Sequence, residues 1–229
     1  GLTNLNNWFN NLPANVDLQN MGYCGDYSYN TGTSYINDFK SIVATTNNKV
    51  GNNLGVYTSG NHCYSNVDGR DNPLNPEFFN TPGFYRIGQA VNNEYYTMYC
   101  FGPATGDGEG HFTDDDMKTL SDYLAKADTD EPIFIRSHYP LHQSPLRTIG
   151  KAEEMINLLN QYPNVVFVWG HNHSHSDPMY GEIRTKGDSI TYATAQSKKI
   201  NFTYLSAGGM RDGDEKIGLY HGMVATIDK

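Results

Sequence analysis

The chain has 229 residues and a formal net charge of −9, from 16 basic and 25 acidic side chains. A chain of this length fits one large domain, residues 1–229, whose core can be stable without disulfide bonds or a structural metal. The acidic balance excludes general nucleic-acid binding, which requires a basic face. It does not exclude a phosphate-bearing substrate, because bound divalent cations would dominate the local field.

Cysteine usage and hydropathy narrow the class of protein further. Cys24, Cys63 and Cys100 are odd in number and match no zinc-finger spacing, so they predict no disulfide framework. No apolar run approaches the length of a membrane span. A composition rich in Asn and Tyr with few Lys is typical of secreted bacterial proteins, and it predicts an extracellular or cell-surface location. The sequence leaves the oligomeric state open.

Helices and strands are predicted to alternate along most of the chain. Apolar side chains recur at helical spacing in residues 2–12, 35–46, 114–127 and 152–162. The third helix has the clearest signal, because Thr113 can cap it together with Asp116. Strand-like apolar runs occupy residues 17–24, 54–58, 95–101, 132–136, 165–169, 189–195, 202–207 and 219–227. Residues 65–90 are rich in Asn, Pro and Gly, and we predict one long loop there. The pattern as a whole predicts an α/β fold with a strand-rich C-terminal part.

Four predicted strands run directly into polar groups of the metal-binding kind. These groups are Gly25-Asp26, Gly60-Asn61-His62, Ser137-His138 and Gly170-His171-Asn172-His173. Ligands collect at the carboxyl ends of strands in open α/β sheets, so all four groups can converge on one place. If residues 171–173 are extended, His171 and His173 face the same way. Each group alone is also explained as a turn or cap, but their joint placement favours a metal site.

The chemistry of these side chains indicates which ions would bind. Imidazole, carboxylate and amide oxygen suit divalent Mn, Fe, Zn, Co or Ni. A carboxylate can bridge two such ions, and two ions about 3.5–4 Å apart can hold a hydroxide and clamp a displacement at phosphorus.

The ordered motifs GD, GNH, H and GHxH resemble those of the calcineurin-like metallophosphoesterase superfamily. The segments between them are similar as well, and the resemblance covers about residues 17–175. It implies an α/β/β/α sandwich of two mixed sheets flanked by helices. The implied activity is hydrolysis of phosphomonoesters or phosphodiesters by a metal-bound hydroxide at a binuclear site. The implied cofactors are two divalent transition-metal ions, and the partner is a small-molecule or phosphorylated substrate.

The resemblance also assigns a role to each matching residue. Asp26 would bridge the two ions, with Asn61, His138 and His171 on one ion and His173 on the other. His62 would be the general acid for the leaving group or a stabiliser of the transition state.

Two departures from the family pattern affect these expectations. The opening D-x-H motif occurs nowhere in the chain. We therefore expect the opening strand to be missing through truncation, and the second metal position to be incomplete. That position keeps Asp26 and His173, with Tyr29 of G-D-x-x-Y as a further candidate.

Cys63 stands where the family has an acidic residue that orients the histidine, and a thiol is a poor acceptor. These departures keep open an alternative function, a degenerate binding or surface module with weak or no catalysis.

The remaining histidines and arginines are assigned no role in the site. His142 and His175 are more typical of the surface, or of contacts behind the ligands, than of ligands themselves. His111 and His221 have no matching context. Contact with a substrate phosphate and a solvated surface role are both open for the arginines of predicted loops, which are Arg70, Arg86 and Arg147.

Overall fold

The computed structural model describes residues 7, 10–13, 18–27, 33–50, 55–64, 76–105, 112–144, 149–172, 177–208 and 225–227. These residues form a mixed α/β protein with parallel and mixed sheets. Most of the helix predicted at 2–12 and of the strand predicted at 219–227 lies outside them. Among the residues that the structure does describe, no helix combines the length and the apolar character needed to cross a bilayer.

Four helices are described, and three of them confirm predicted ones with shifted ends. They are α1 (Thr33–Val50), α2 (Pro76–Phe79), α3 (Asp114–Leu124) and α4 (Ala152–Leu159). The predicted cap of α3 is confirmed. The hydroxyl of Thr113 accepts from the amide of Asp116 at 3.1 Å, and the Asp116 carboxylate accepts from the amide of Thr113 at 2.9 Å. Asp114, Asp115 and Asp116 in the first turn also favour the positive end of the helix dipole.

Eleven strands are described; seven of them correspond to predicted strands, and five of those seven are shorter than predicted. They are β1 (Gly22–Tyr23), β2 (Val56–Thr58), β3 (Phe84–Tyr85), β4 (Ile87–Asn92), β5 (Thr97–Phe101), β6 (Ile133–Ser137), β7 (Val165–Trp169), β8 (Ile183–Arg184), β9 (Ser189–Ala193), β10 (Gln196–Lys199) and β11 (Thr203–Ser206). The first sheet has the order β1-β2-β3 and is parallel. The second has the order β4-β5-β6-β7-β11-β8, and its four central strands are parallel. Strands β9 and β10 pair as a separate antiparallel hairpin.

Both faces of the second sheet are buried, and successive side chains along its strands point to opposite faces. In β5, Tyr99 and Phe101 point to one apolar cluster, and Met98 and Cys100 point to another. The first cluster includes the buried faces of α3 and α4. The second contains residues of both sheets, with Cys24 among them. A third cluster joins the first sheet to α1 and α2. The two sheets therefore share one apolar interior, and helices pack on their other faces.

Two predicted elements of the N-terminal half are wrong in part. The predicted loop at 65–90 contains α2, β3 and the beginning of β4, although residues 65–75 lie outside the described part of the chain. The aromatic residues Phe78 and Phe84 anchor this segment, because both are buried against Phe39. Of the strand predicted at 17–24, the structure has only β1.

Candidate metal centre

The four predicted groups lie at the junction of the two sheets. Asp26 and Asn61 follow β1 and β2 of the first sheet, and His138 and His171 follow β6 and β7 of the second. The ligand atoms of Asp26, His138 and His171 all lie within 4.8 Å of one another. Each sheet therefore contributes two candidate ligands to one cluster. These three residues form a group that could hold a metal ion.

The Nε2 atom of His138 lies at the centre of this cluster. It is 2.9 Å from the Asn61 amide oxygen Oδ1, 2.9 Å from His171 Nδ1 and 3.1 Å from Asp26 Oδ2. Two ligands at right angles, each about 2.1 Å from an ion, are separated by about 3.0 Å. The three distances from Nε2 are thus those expected between neighbouring ligands of one transition-metal ion. A set of two imidazoles, a carboxylate and an amide oxygen also has the donor chemistry of such ions.

A hydrogen bond to the backbone fixes the ring of His138. Its Nδ1 lies 2.6 Å from the carbonyl oxygen of Cys24, and the residue is 1% exposed. A carbonyl oxygen only accepts, so Nδ1 carries a hydrogen, and Nε2 is the nitrogen left to bind an ion. Metal-binding histidines commonly have this arrangement, with the second nitrogen donating to a carbonyl or carboxylate.

The backbone at two candidate ligands is strained. Asp26 has φ +52° and His171 has φ +65°, in the left-handed region that few non-glycine residues occupy. At His171 the Asn172 amide donates to the Gly170 carbonyl at 2.8 Å, which closes a tight three-residue turn. The extended conformation predicted for residues 171–173 is therefore wrong at His171. Such strain concentrates at functional sites, where the surrounding structure maintains it.

Two glycines allow the sheets to approach each other at the cluster. A Cβ on Gly60 would lie 2.3 Å from Asp26 Oδ1 and 2.6 Å from the Asp26 amide nitrogen. Gly60 itself is extended, so close approach rather than a sharp exit from the strand explains this glycine. Gly25 combines both reasons, because its φ is +91° and its Cβ would lie 2.5 Å from His138 Nδ1.

His62 stands beside the cluster and is 22% exposed in its side chain. Its amide donates to Asp26 Oδ1 at 3.1 Å, and its Nε2 lies 3.9 Å from Asp26 Oδ2. The next residue, Cys63, accepts a hydrogen bond from the Gly60 amide at 3.3 Å. Burial raises the pKa of the Cys63 thiol, so it remains neutral. Cys63 thus closes the short 3-10 turn that carries Asn61 and His62.

The neighbouring histidines keep Asp26 ionised. Burial alone would raise the pKa of this carboxyl. The charge and hydrogen bond of His138, followed by the charges of His62 and His171, outweigh that effect and hold the pKa well below its usual range. A carboxylate available at any moderate pH is what a bridging ligand requires.

Several other candidates cannot be placed in this cluster. His173, Tyr29, Arg70, Arg147, His111, His175 and His221 lie outside the described residues. Arg86 is described, and its guanidinium pairs with the Asp116 carboxylate at 2.8 Å, at the beginning of α3. This structural ion pair is neither of the two roles left open for Arg86.

No protein-family model and no curated protein matches the chain. The functional interpretation therefore depends on the cluster itself and on the motifs that form it.

Of the residues that support the cluster from behind, sequence reasoning considered only His142, and it missed Tyr139 and Asp177. The ring of Tyr139 lies 4.4 Å from that of His171, centre to centre. Of the two roles left open for His142, its burial fits a contact behind the ligands rather than the surface, and it pairs with Asp177 at 2.9 Å. The only signal in the sequence was proximity, since Tyr139 and His142 follow His138 closely and Asp177 follows the GHNH motif.

Proposed function

We propose that the chain is a metal-dependent phosphoesterase of the calcineurin-like superfamily, which hydrolyses phosphomonoesters or phosphodiesters. The observation that carries the proposal is the convergence of Asp26, Asn61 and His171 around one nitrogen of His138. These residues belong to the four motifs on which the resemblance is based. Each atom offered to the cluster is one that a divalent transition-metal ion accepts.

The order of the layers supports the same proposal. α1 packs on the first sheet, the two sheets share an apolar interior, and α3 and α4 pack on the second sheet. Helix, sheet, sheet and helix in that order are what an α/β/β/α sandwich of the proposed family requires. In such a sandwich the junction of the two sheets is the natural place for the cluster.

Different residues of the chain would have different roles in the proposed reaction. Divalent ions, when bound, supply the Lewis acidity that polarises a phosphoryl oxygen and activates water at neutral pH. Asn61, His138 and His171 would hold one ion, Asp26 would bridge to a second, and His173 remains the candidate ligand there. His62 is exposed enough to meet a substrate, and its Nε2 can give a proton to the leaving oxygen.

A reconstitution experiment tests the proposal. Protein stripped of metal is reloaded with Mn²⁺, and hydrolysis of p-nitrophenyl phosphate and bis(p-nitrophenyl) phosphate is measured. His138→Ala should abolish both ion binding and hydrolysis. Asp130→Asn is the matched control, because Asp130 is exposed and precedes β6 at the opposite end from the cluster. Retention of both properties in the control is expected.

The other outcomes are also informative. Stoichiometric ion binding with no hydrolysis of either ester would favour the alternative, a binding or surface module that has kept the fold. Absence of ion binding in the wild-type protein, with Zn²⁺ and Co²⁺ as well as Mn²⁺, would overturn the proposal.

A further inference from the structure

A row of polar side chains runs behind the ligand cluster, from β11 to the turn that carries His171. Its members are Tyr204, His142, Asp177 and Asn172. The first three are almost fully buried, at 0%, 2% and 4% exposure. Polar groups buried to this extent are costly unless every one of them is hydrogen-bonded, so a complete row of this kind specifies one arrangement of the chain.

Each contact in the row is a hydrogen bond. The Tyr204 hydroxyl lies 2.8 Å from His142 Nδ1, and His142 Nε2 lies 2.9 Å from both carboxylate oxygens of Asp177. The Asn172 side-chain amide donates to the same carboxylate, and so does the backbone amide of Met179 at 2.8 Å. The row therefore ends on the residue directly after His171.

Counting donors and acceptors gives the direction of the hydrogen bonds in the row. The Tyr204 hydroxyl accepts from the backbone amides of Leu141, at 2.7 Å, and His142, at 3.4 Å. With both acceptor positions used, its hydrogen must point to His142 Nδ1. His142 Nδ1 then accepts, and His142 Nε2 donates to the Asp177 carboxylate. Burial alone would raise the pKa of Asp177, but the hydrogen bonds that it accepts outweigh burial and lower that pKa.

The row connects the two loops of the second sheet that carry candidate ligands. Tyr204 lies on β11, the neighbour of β7, and its ring stacks on Trp169 at 5.8 Å between centres. It holds the backbone just after His138 through the amide of Leu141. Through His142 and Asp177 it also holds Asn172. The strained turn at His171 is thus fixed by its side-chain contact at Asn172 as well as by its own backbone.

We propose that Asp177 is a positioning residue, which sets the orientation of His171 through Asn172 and is itself oriented by His142 and Tyr204. The metal-binding part of this inference rests on the proposed function, whereas the ordering of the turn does not. Without the carboxylate, the Asn172 side chain loses its anchor and the left-handed conformation at His171 loses its support. The ion then meets a ligand set in which one imidazole is no longer held in place.

Two variants break the row at different points, and a third is the control. Asn172→Ala removes only the last contact, and Asn172 is half-buried, so this variant should fold normally. Asp177→Asn keeps the shape of the side chain but places an amide group opposite the side-chain amide of Asn172. Asn160→Ala is the matched control. Asn160 also makes side-chain hydrogen bonds, to Lys199 and Asn201, but it lies after α4 in a loop that carries no candidate ligand.

The first measurement is amide hydrogen exchange in the metal-free protein. Asn172→Ala and Asp177→Asn should accelerate exchange at residues 170–172 by about tenfold or more, as expected for loss of about 1.4 kcal/mol of local stability. Asn160→Ala should leave these amides unchanged. Equal exchange at 170–172 in wild type, Asn172→Ala and Asn160→Ala would overturn the proposal, even if the wild-type protein bound no metal.

The second measurement is titration with Co²⁺, followed through its visible absorption bands. Loss of a group that orients a ligand typically weakens metal affinity by about 10–100-fold. We expect such a loss in both variants, with altered band positions, and unchanged affinity and bands in Asn160→Ala. If wild type binds Co²⁺ and Asn172→Ala matches it in affinity and spectrum, the positioning role is wrong and the proposed function still stands. If wild type binds no Co²⁺, Mn²⁺ or Zn²⁺, the proposed function is wrong, and the exchange measurement alone decides the role of Asp177.

Discussion

His138 Nδ1 donates a hydrogen bond to the carbonyl oxygen of Cys24 over 2.6 Å, and this bond joins the two sheets directly. Cys24 follows β1 of the first sheet, whereas His138 follows β6 of the second. The bond therefore sets the ring of His138 before any ion arrives. A ligand that is already oriented loses little conformational freedom on binding, which favours tight coordination.

The first prediction separates the role of His62 from that of the ligands. In an active protein, His62→Ala should lower turnover by about 10²–10⁴-fold, the usual effect of removing a general acid or a charge stabiliser. Metal content should change little, because the contacts of His62 are to Asp26 rather than to the centre of the cluster. Elemental analysis beside an aryl-phosphate assay measures both. Asn61→Ala is the comparison, in which both should fall, and a parallel fall in His62→Ala would contradict this role.

The second prediction concerns the close approach at Gly60. Gly60→Ala should weaken metal binding by about 10–100-fold, because its Cβ would displace both the amide and the carboxylate of Asp26. Gly88→Ala is the control, since a Cβ there meets only the ring of Tyr85, at 3.0 Å. Isothermal titration with Mn²⁺ measures the affinities. Wild-type affinity in Gly60→Ala would mean that the two sheets can separate locally without disturbing Asp26.

The third prediction is that Asp26→Asn destabilises the protein both without metal and with it. At pH 8 without metal, the free energy of unfolding should fall by about 1–3 kcal/mol, because an amide loses the charge interaction and the hydrogen bond that His138 makes with the carboxylate. Backbone strain adds nothing to this loss, because Asn tolerates the left-handed backbone of this position, at φ +52°. With metal at a hundredfold excess over its dissociation constant, the wild type should gain about 2.7 kcal/mol and the variant almost nothing.

Denaturant titrations of both proteins, with and without Zn²⁺, measure these four free energies. Equal stabilisation of wild type and Asp26→Asn by Zn²⁺ would show that the ion binds somewhere else. A metal-free variant as stable as the wild type would show that the Asp26 carboxylate gains no stability from the histidines around it.

The fourth prediction is a pH dependence at the beginning of α3. Burial would raise the pKa of Asp116, but hydrogen bonds from Arg86 and Thr113 lower it overall. A lowered folded-state pKa means that the stabilisation is fully present above the unfolded value of about 3.9 and is lost as the pH falls through the lower folded value. Asp116→Asn should therefore cost about 1–3 kcal/mol at pH 7, and the difference from wild type should shrink below about pH 4.

Urea unfolding of wild type and Asp116→Asn, measured from about pH 2.5 to about pH 7, would follow this difference. This range spans the ordinary pKa of a carboxyl group. Asp122→Asn is the control. Its carboxylate pairs with Lys118 on the exposed face of the same helix, where ion pairs contribute little. A pH-independent difference for Asp116→Asn would contradict the assignment.

Local signals in the sequence predicted the elements that position the cluster. β7 has the predicted bounds, because its apolar run lies between Asn164 and Gly170, which end it on either side. α3 begins where Thr113 and Asp116 predicted its cap. Asp26, Asn61, His138 and His171 lie together at strand ends, as the pattern predicted, and the strands belong to two sheets. These features follow from residues close in sequence, which is why a single chain suffices to predict them.

Features that depend on distant contacts were not predictable in the same way. β3 has two residues, too few for a periodic pattern, and it forms because Phe84 is buried beside Phe39 from α1. The left-handed turn at His171 goes against the ordinary preference of histidine. No local pattern joins Asp177 to His142, whose partnership exists only once β6, β7 and β11 lie side by side.

The division of the ligands between two sheets has a consequence for how the protein is made. A ribosome releases residues 26 and 61 of the first sheet long before residues 138 and 171 of the second. The early half offers one carboxylate and one amide, and the late half offers two imidazoles. Neither half alone resembles the completed set, so under the proposed function the selection of an ion would have to wait until most of the nascent chain has emerged and folded.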